Sequence, residues 1–172
     1  PVRASVNYDQ LKEIIEKNDD KLYVVNFWAT WCRPCIEELP HFLEVSNAYE
    51  NQAPFQMILV SLDKAELLET DVAQMITKLH IDNDVYLLDD NKRMNYWISA
   101  VDSTWSGAIP ATVFYKNGQK LHFTEGQLTK EEAQLEIAKE IYDPIILEDD
   151  KVFFMKKMNL KTCIKVKNVY CY

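Results

Sequence analysis

Cys32 and Cys35 stand three residues apart around Arg33 and Pro34. A pair so spaced can exchange thiols with a disulfide, supply half of a zinc site, or pack as two inert thiols. A four-ligand zinc site needs two further ligands, and the remaining cysteines and the three histidines show no matching pair at finger-like spacing. The surrounding residues point to redox chemistry. Leu22-Tyr23-Val24-Val25-Asn26-Phe27-Trp28 is apolar except for Asn26, as in a strand covered on both faces. After Ala29-Thr30-Trp31, the apolar positions 36, 39, 42 and 43 follow helical spacing. The pair therefore falls where a buried strand turns into a helix.

A thiol at a helix start sits beside unpaired backbone N–H groups and the positive end of the helix dipole, which favour its thiolate. Such cysteines have pKa values lowered to roughly 3.5–7.5 from about 8.5, and the thiolate is the attacking species. Cys32 is thus the expected nucleophile, and Cys35, one turn on, the resolving thiol. Arg33 adds a cation beside Cys32, and Pro34 stiffens the helix start at a position where no N–H is needed.

Asn26-Phe27-Trp28-Ala29-Thr30-Trp31-Cys32-Arg33-Pro34-Cys35 resembles the active-site segment of thioredoxins, most closely the extracytoplasmic TlpA/ResA branch. Two further features match. Pro40 lies eight residues after Cys32, inside the helix, where thioredoxins carry a kinking proline. Gly107-Ala108-Ile109-Pro110-Ala111-Thr112 is similar to the segment holding the family's cis-proline before a strand. The resemblance spans roughly residues 5–142.

The resemblance implies an α/β thioredoxin fold, a central mixed sheet flanked by helices, with a TlpA/ResA-type insertion and a C-terminal extension. It implies a cis Ile109–Pro110 bond against the cysteine pair, with the backbone of Ile109 pairing with an extended substrate segment, a mode that reads backbone more than side chain. Trp31, Arg33 and Pro34 would border that segment. No cofactor is implied. The expected partners are client proteins with disulfides and a membrane-linked or soluble thiol electron donor. The expected setting is extracytoplasmic, periplasmic or membrane-anchored facing the periplasm, with the signal or anchor outside these residues.

Asn26 departs from plain thioredoxins, which carry a buried aspartate there that moves a proton to and from the resolving thiol. An amide does not titrate. Asp63 and Lys64, near the end of a second buried strand at 55–62, are the candidates from sequence, although branch members often carry a glutamate in that region. Two other classes remain open: a non-catalytic thioredoxin-fold binding module, and a thiol peroxidase. Against the latter stand the CxxC itself and Ala29, where a peroxiredoxin-like loop has threonine three residues before the attacking cysteine.

The remaining chain fits this frame. Its 172 residues are 48% hydrophobic and 27% charged, enough for one good core. Net charge is −8, and no basic block suggests nucleic acid. No stretch approaches the roughly 18–20 apolar residues of a membrane span. Short helices are expected at 8–16, 65–79, 92–100 and from Thr129-Lys130-Glu131-Glu132, a capping-box pattern, to about 142. A short strand is expected at 85–88, and strands at 111–116 and 120–124 flank Asn117-Gly118, a hairpin signal. Trp28 and Trp97 read as core, Trp105 as close to Pro110, His41 as a partly exposed helix residue, and His80 and His122 show no metal-like spacing.

The expected domains are 1–143, thioredoxin-like, and 144–172, an appendage packed on it. Six lysines against four acids from residue 143 onward make the appendage basic in an acidic chain. Ile164, Val166, Val169 and Cys171 suggest a terminal strand or small hairpin. Cys163 and Cys171 are read either as a structural disulfide or as two packed thiols.

Overall fold

The computed structural model describes residues 2–51, 53–141, 143–147, 151–155 and 169–170. They divide between two compact units, Pro1–Gln127 and Leu128–Tyr172.

The first unit is a six-stranded mixed sheet with helices. In chain order its elements are β1 (Arg3–Val6), α1 (Tyr8–Ile15), β2 (Leu22–Trp28), α2 (Arg33–Tyr49), β3 (Phe55–Ser61), α3 (Ala73–Leu79), β4 (Asp84–Leu88), α4 (Met94–Val101), β5 (Ala111–Lys116) and β6 (Gln119–Glu125). The sheet order is β1-β4-β3-β2-β5-β6. β2 runs parallel to β3 and antiparallel to β5, and β4 enters between β1 and β3. This is the thioredoxin-type arrangement of a central mixed sheet flanked by helices.

The period of two along a strand decides what each side of β2 meets. Tyr23, Val25 and Phe27 join a buried cluster with Tyr8, Leu11 and Ile15 of α1. The alternate residues, including Asn26, point to the other side, where Asn26 reaches α2. All seven residues of β2 are buried, as its apolar run requires.

α1 opens on the expected kind of signal. Asn7 caps it by accepting from Gln10 N, while the Gln10 side chain accepts from Asn7 N, satisfying two orphan donors. The β5–β6 hairpin turns at Asn117 and Gly118, both with positive φ, as a two-residue turn between right-twisted strands demands. A Cβ at Gly118 would lie 3.2 Å from the Glu16 carbonyl, so this turn also needs glycine's missing side chain.

The segment expected as one helix over 65–79 is wound in three ways: a 3₁₀ turn at Ala65–Leu67, a π-helical turn at Leu68–Val72, then α3. Of Leu67, Leu68, Val72, Met75, Ile76 and Leu79, whose spacing makes the inner face of such a helix, only Val72 is fully buried. Among the described residues no helix is long and apolar enough to cross a membrane.

The second unit holds α5 (Lys130–Ile141) and a three-stranded sheet of β7 (Asp143–Leu147), β8 (Lys151–Met155) and β9 (Val169–Tyr170). Thr129 Oγ1 accepts from Glu132 N and Glu132 accepts from Thr129 N, completing the capping box. β7 pairs antiparallel with β8, and β9 pairs with β8 in parallel. Cys163 and Cys171 lie outside the described residues.

Candidate active site

β2 delivers the chain to the sheet edge of the site, and a turn at Ala29–Cys32, closed by Cys32 N donating to Ala29 O at 3.1 Å, redirects it into α2. Cys32 is the N-cap of α2, with extended backbone. Its Sγ accepts from Cys35 N at 3.3 Å, taking the place an oxygen holds in an ordinary cap. Pro34 sits in the first turn, where its missing N–H costs nothing.

Cys32 and Cys35 form a disulfide. Cys32 retains 5% of its surface and Cys35 only 1%, so an incoming sulfur reaches Cys32 first. Trp31, 68% exposed, stands immediately before it. The Arg33 guanidinium points to solvent and pairs with Glu37 at 2.8 Å, one turn on. That bond and the Glu37 charge raise the Arg33 pKa. The cation expected to act on Cys32 is therefore largely neutralised by its neighbour and screened by water.

Opposite the disulfide stands the loop before β5. The Ile109–Pro110 bond is cis, Pro110 is buried, and the Ile109 carbonyl oxygen lies 3.7 Å from Cys32 Sγ. The loop is fastened from two sides. Trp105 donates its indole N–H to Ala108 O at 2.8 Å and packs against Phe27, Trp97 and Phe123. Glu125 accepts from Ser106 N at 2.8 Å and from the Ser106 hydroxyl, bonds that hold its carboxyl below the usual range. Beyond β6, Gly126 N donates to Pro110 O and Gln127 Nε2 to Pro34 O, both at 2.8 Å.

Beneath the cysteines, Asn26 Nδ2 donates to Glu38 Oε1 at 2.9 Å and to Thr112 Oγ1 at 3.2 Å. Glu38 is 2% exposed and lies three residues after Cys35, on the same face of α2. Sequence reasoning missed it. The available signal was that i, i+3 spacing, which separates buried Glu38 from exposed Glu37. Asp63, a sequence candidate for proton transfer, is also buried but bonds to Thr30 and Ser61; Lys64 is exposed. Among the described residues, the buried side-chain polar atoms without a partner are Asn26 Oδ1 and Trp28 Nε1, both on β2. Trp28 and Trp97 are core.

A strand, a CxxC disulfide at a helix start and a cis-proline facing it, on this sheet, define a thioredoxin-fold site for thiol–disulfide exchange. The chain belongs to the AhpC/TSA family, whose sequence profile matches residues 6–124. It is 32% identical over 131 residues to the thiol-disulfide oxidoreductase ResA of Oceanobacillus iheyensis, covering 70% of this chain and 62% of that protein. It is 28% identical to a thioredoxin of Malassezia sympodialis, over 73% of this chain and 86% of the other. The fold is similar to StoA from Bacillus subtilis, with TM-score 0.55 and 21% identity over 69% of this chain and 83% of that one. A thiol:disulfide interchange protein from Chlorobium tepidum gives TM-score 0.59 and 20% identity over 70% and 80%.

Proposed function

We propose that this protein is a thiol–disulfide oxidoreductase that reduces disulfides of extracytoplasmic client proteins. The observation that carries the reading is the placement of Cys32 Sγ. It belongs to the more exposed of the two cysteines, it caps α2, and it lies beside the Ile109 carbonyl. The relative named thiol-disulfide oxidoreductase ResA supports the chemistry, and the resemblance of the active-site segment to the extracytoplasmic TlpA/ResA branch supports the setting.

In the reduced enzyme the Cys32 thiolate attacks one client sulfur. The client S–S bond breaks, a Cys32–client disulfide forms, and the leaving client thiolate takes up a proton. The client's extended backbone lies along Ile109, between Trp31 and the Pro110 loop. Cys35 then loses its proton and attacks Cys32 Sγ, releasing the second client thiolate. Two electrons have passed to the client, and the enzyme is left with the Cys32–Cys35 disulfide seen here. A thiol donor, membrane-linked or soluble, restores the dithiol.

Cys35 is buried and needs a proton acceptor. Glu38 is the group we assign to it, because it sits one turn away on the same helix face and is held by Asn26.

Equilibration of the Cys32–Cys35 couple against defined thiol–disulfide buffers, in a Cys163→Ser/Cys171→Ser background, tests the direction of flow. A potential near that of thioredoxin, about −270 mV, supports a reductant, and one near about −120 mV makes the protein an oxidant.

A further inference from the structure

Thr30 lies two residues before the nucleophile, in the turn closed by Cys32 N and Ala29 O. Both of its polar donors go to one carboxylate. Thr30 N donates to Asp63 Oδ2 at 2.9 Å, and Thr30 Oγ1 donates to Asp63 Oδ1 at 2.7 Å. Asp63 is 1% exposed. Its Oδ2 also accepts from Ser61 Oγ at 2.8 Å, and its own N–H returns to Ser61 Oγ at 3.1 Å.

These bonds continue the sheet past its end. Trp28 and Ser61 are partners at the last step of the β2–β3 ladder, and Leu62 N still donates to Trp28 O at 2.8 Å. Beyond that point both chains leave the sheet, and Asp63 joins them through its hydrogen bonds from Thr30 and Ser61. Three donors on two oxygens also occupy the carboxylate where it stands.

We propose that Asp63 is a positioning residue for thiol exchange. It fixes the 29–31 turn, and through it the presentation of Trp31 and the orientation of Cys32 Sγ toward the first N–H groups of α2. It acts through Thr30 and does not carry the proton of Cys35. The inference deepens the oxidoreductase reading and rests on it.

Asparagine is the informative replacement. Its carbonyl can accept Thr30 N–H and Ser61 O–H where Oδ2 does now, and its NH₂ can donate to Thr30 Oγ1 once that hydroxyl turns. The shape survives and the titrating group does not. Alanine removes both.

The test follows two readouts in the reduced protein: the pH midpoint for alkylation of Cys32, located by peptide mass analysis, and the rate of insulin disulfide reduction. Misplacing reacting groups by about 1 Å can cost on the order of 10²-fold, so a loosened turn is expected to cost Asp63→Ala roughly tenfold in rate, with the midpoint moved upward. Asp63→Asn and Thr30→Ser are expected to stay within about threefold of the parent, with Thr30→Val between, a factor set by single hydrogen bonds. Adding Thr30→Val to Asp63→Ala costs nothing more.

Asp63→Asn as slow as Asp63→Ala overturns the proposal, because charge or proton transfer is then what matters. An unchanged midpoint and rate in Asp63→Ala also overturns it. If Asp63→Ala does not fold by circular dichroism, Thr30→Val against Thr30→Ser decides: parental behaviour in Thr30→Val overturns the proposal. Should the parent fail to reduce insulin while the alkylation midpoints follow the expected order, the oxidoreductase reading fails and the positioning role of Asp63 stands.

Discussion

Asn26 donates to Glu38 across the interface of β2 and α2 at 2.9 Å, both side chains being all but fully buried. With an amide at position 26, the buried Glu38 carboxyl is met from β2 by a hydrogen-bond donor and not by a second carboxyl.

Glu38→Gln keeps an oxygen for Asn26 and removes the proton acceptor. General acid–base groups contribute typically 10²–10⁴-fold, so the lifetime of the Cys32–client disulfide is expected to lengthen at least about tenfold. Quench-flow trapping of the mixed disulfide measures it, and the effect is expected to shrink as pH rises and Cys35 ionises unaided. A lifetime unchanged at every pH removes Glu38 from the proton path.

Asn26→Asp restores the residue of plain thioredoxins and is expected to harm this protein. Two carboxyls at hydrogen-bond distance cannot both ionise, so one is held protonated and its folded pKa rises above the unfolded value. A raised carboxyl pKa gives stability that is full below the unfolded value, roughly 3.9, and is lost as pH rises through the folded one. Urea melts at pH 4 and pH 8 are expected to show the variant's deficit growing with pH. A pH-independent deficit would point to packing instead.

Trp105→Phe keeps a ring against Phe27 and Trp97 but loses the bond to Ala108 O. Losing one neutral bond costs about 1 kcal/mol. The loop carrying Ile109 then loosens, and the expected signature is a several-fold rise in KM for a peptide disulfide with kcat nearly kept. A fall confined to kcat contradicts the assignment of this loop to client binding.

Acid stability has a local source away from the cysteines. Burial opposes the charge of Asp102, but the bonds from Thr104 and the Lys120 ammonium outweigh it and bring the carboxyl down to about 2. The folded value lies below the unfolded one, so the stabilisation is full above roughly pH 4 and is lost as pH falls toward the folded pKa. Asp102→Asn is expected to lower the melting temperature at pH 6 and to match the parent near pH 2. Equal losses at both pH values would assign the effect to packing.

Much of the site was legible because its signals are local. An apolar run, a CxxC and helical spacing place Cys32 at a helix start without tertiary information, and Asn117-Gly118 declares its own hairpin. What escaped depends on partners. β1 has four residues with one fully buried, and it is a strand because β4 pairs with it. β7 begins at Asp143, directly after the helix expected to run to about 142, and among the described residues it pairs with β8 alone, an edge position where a proline such as Pro144 is tolerated. Arg33 carried the right charge, but its pairing with Glu37 depends on a rotamer that no motif records.

Neither Gly126 nor Gln127 contributes a group to the exchange, yet these consecutive residues hold Pro110 by its carbonyl and Pro34 by its carbonyl. On the proposed function, the gap that a client enters is thus gauged by a short tether at its far side. One residue inserted there would release both jaws together, leaving two intact cysteines with no fixed width between nucleophile and guide.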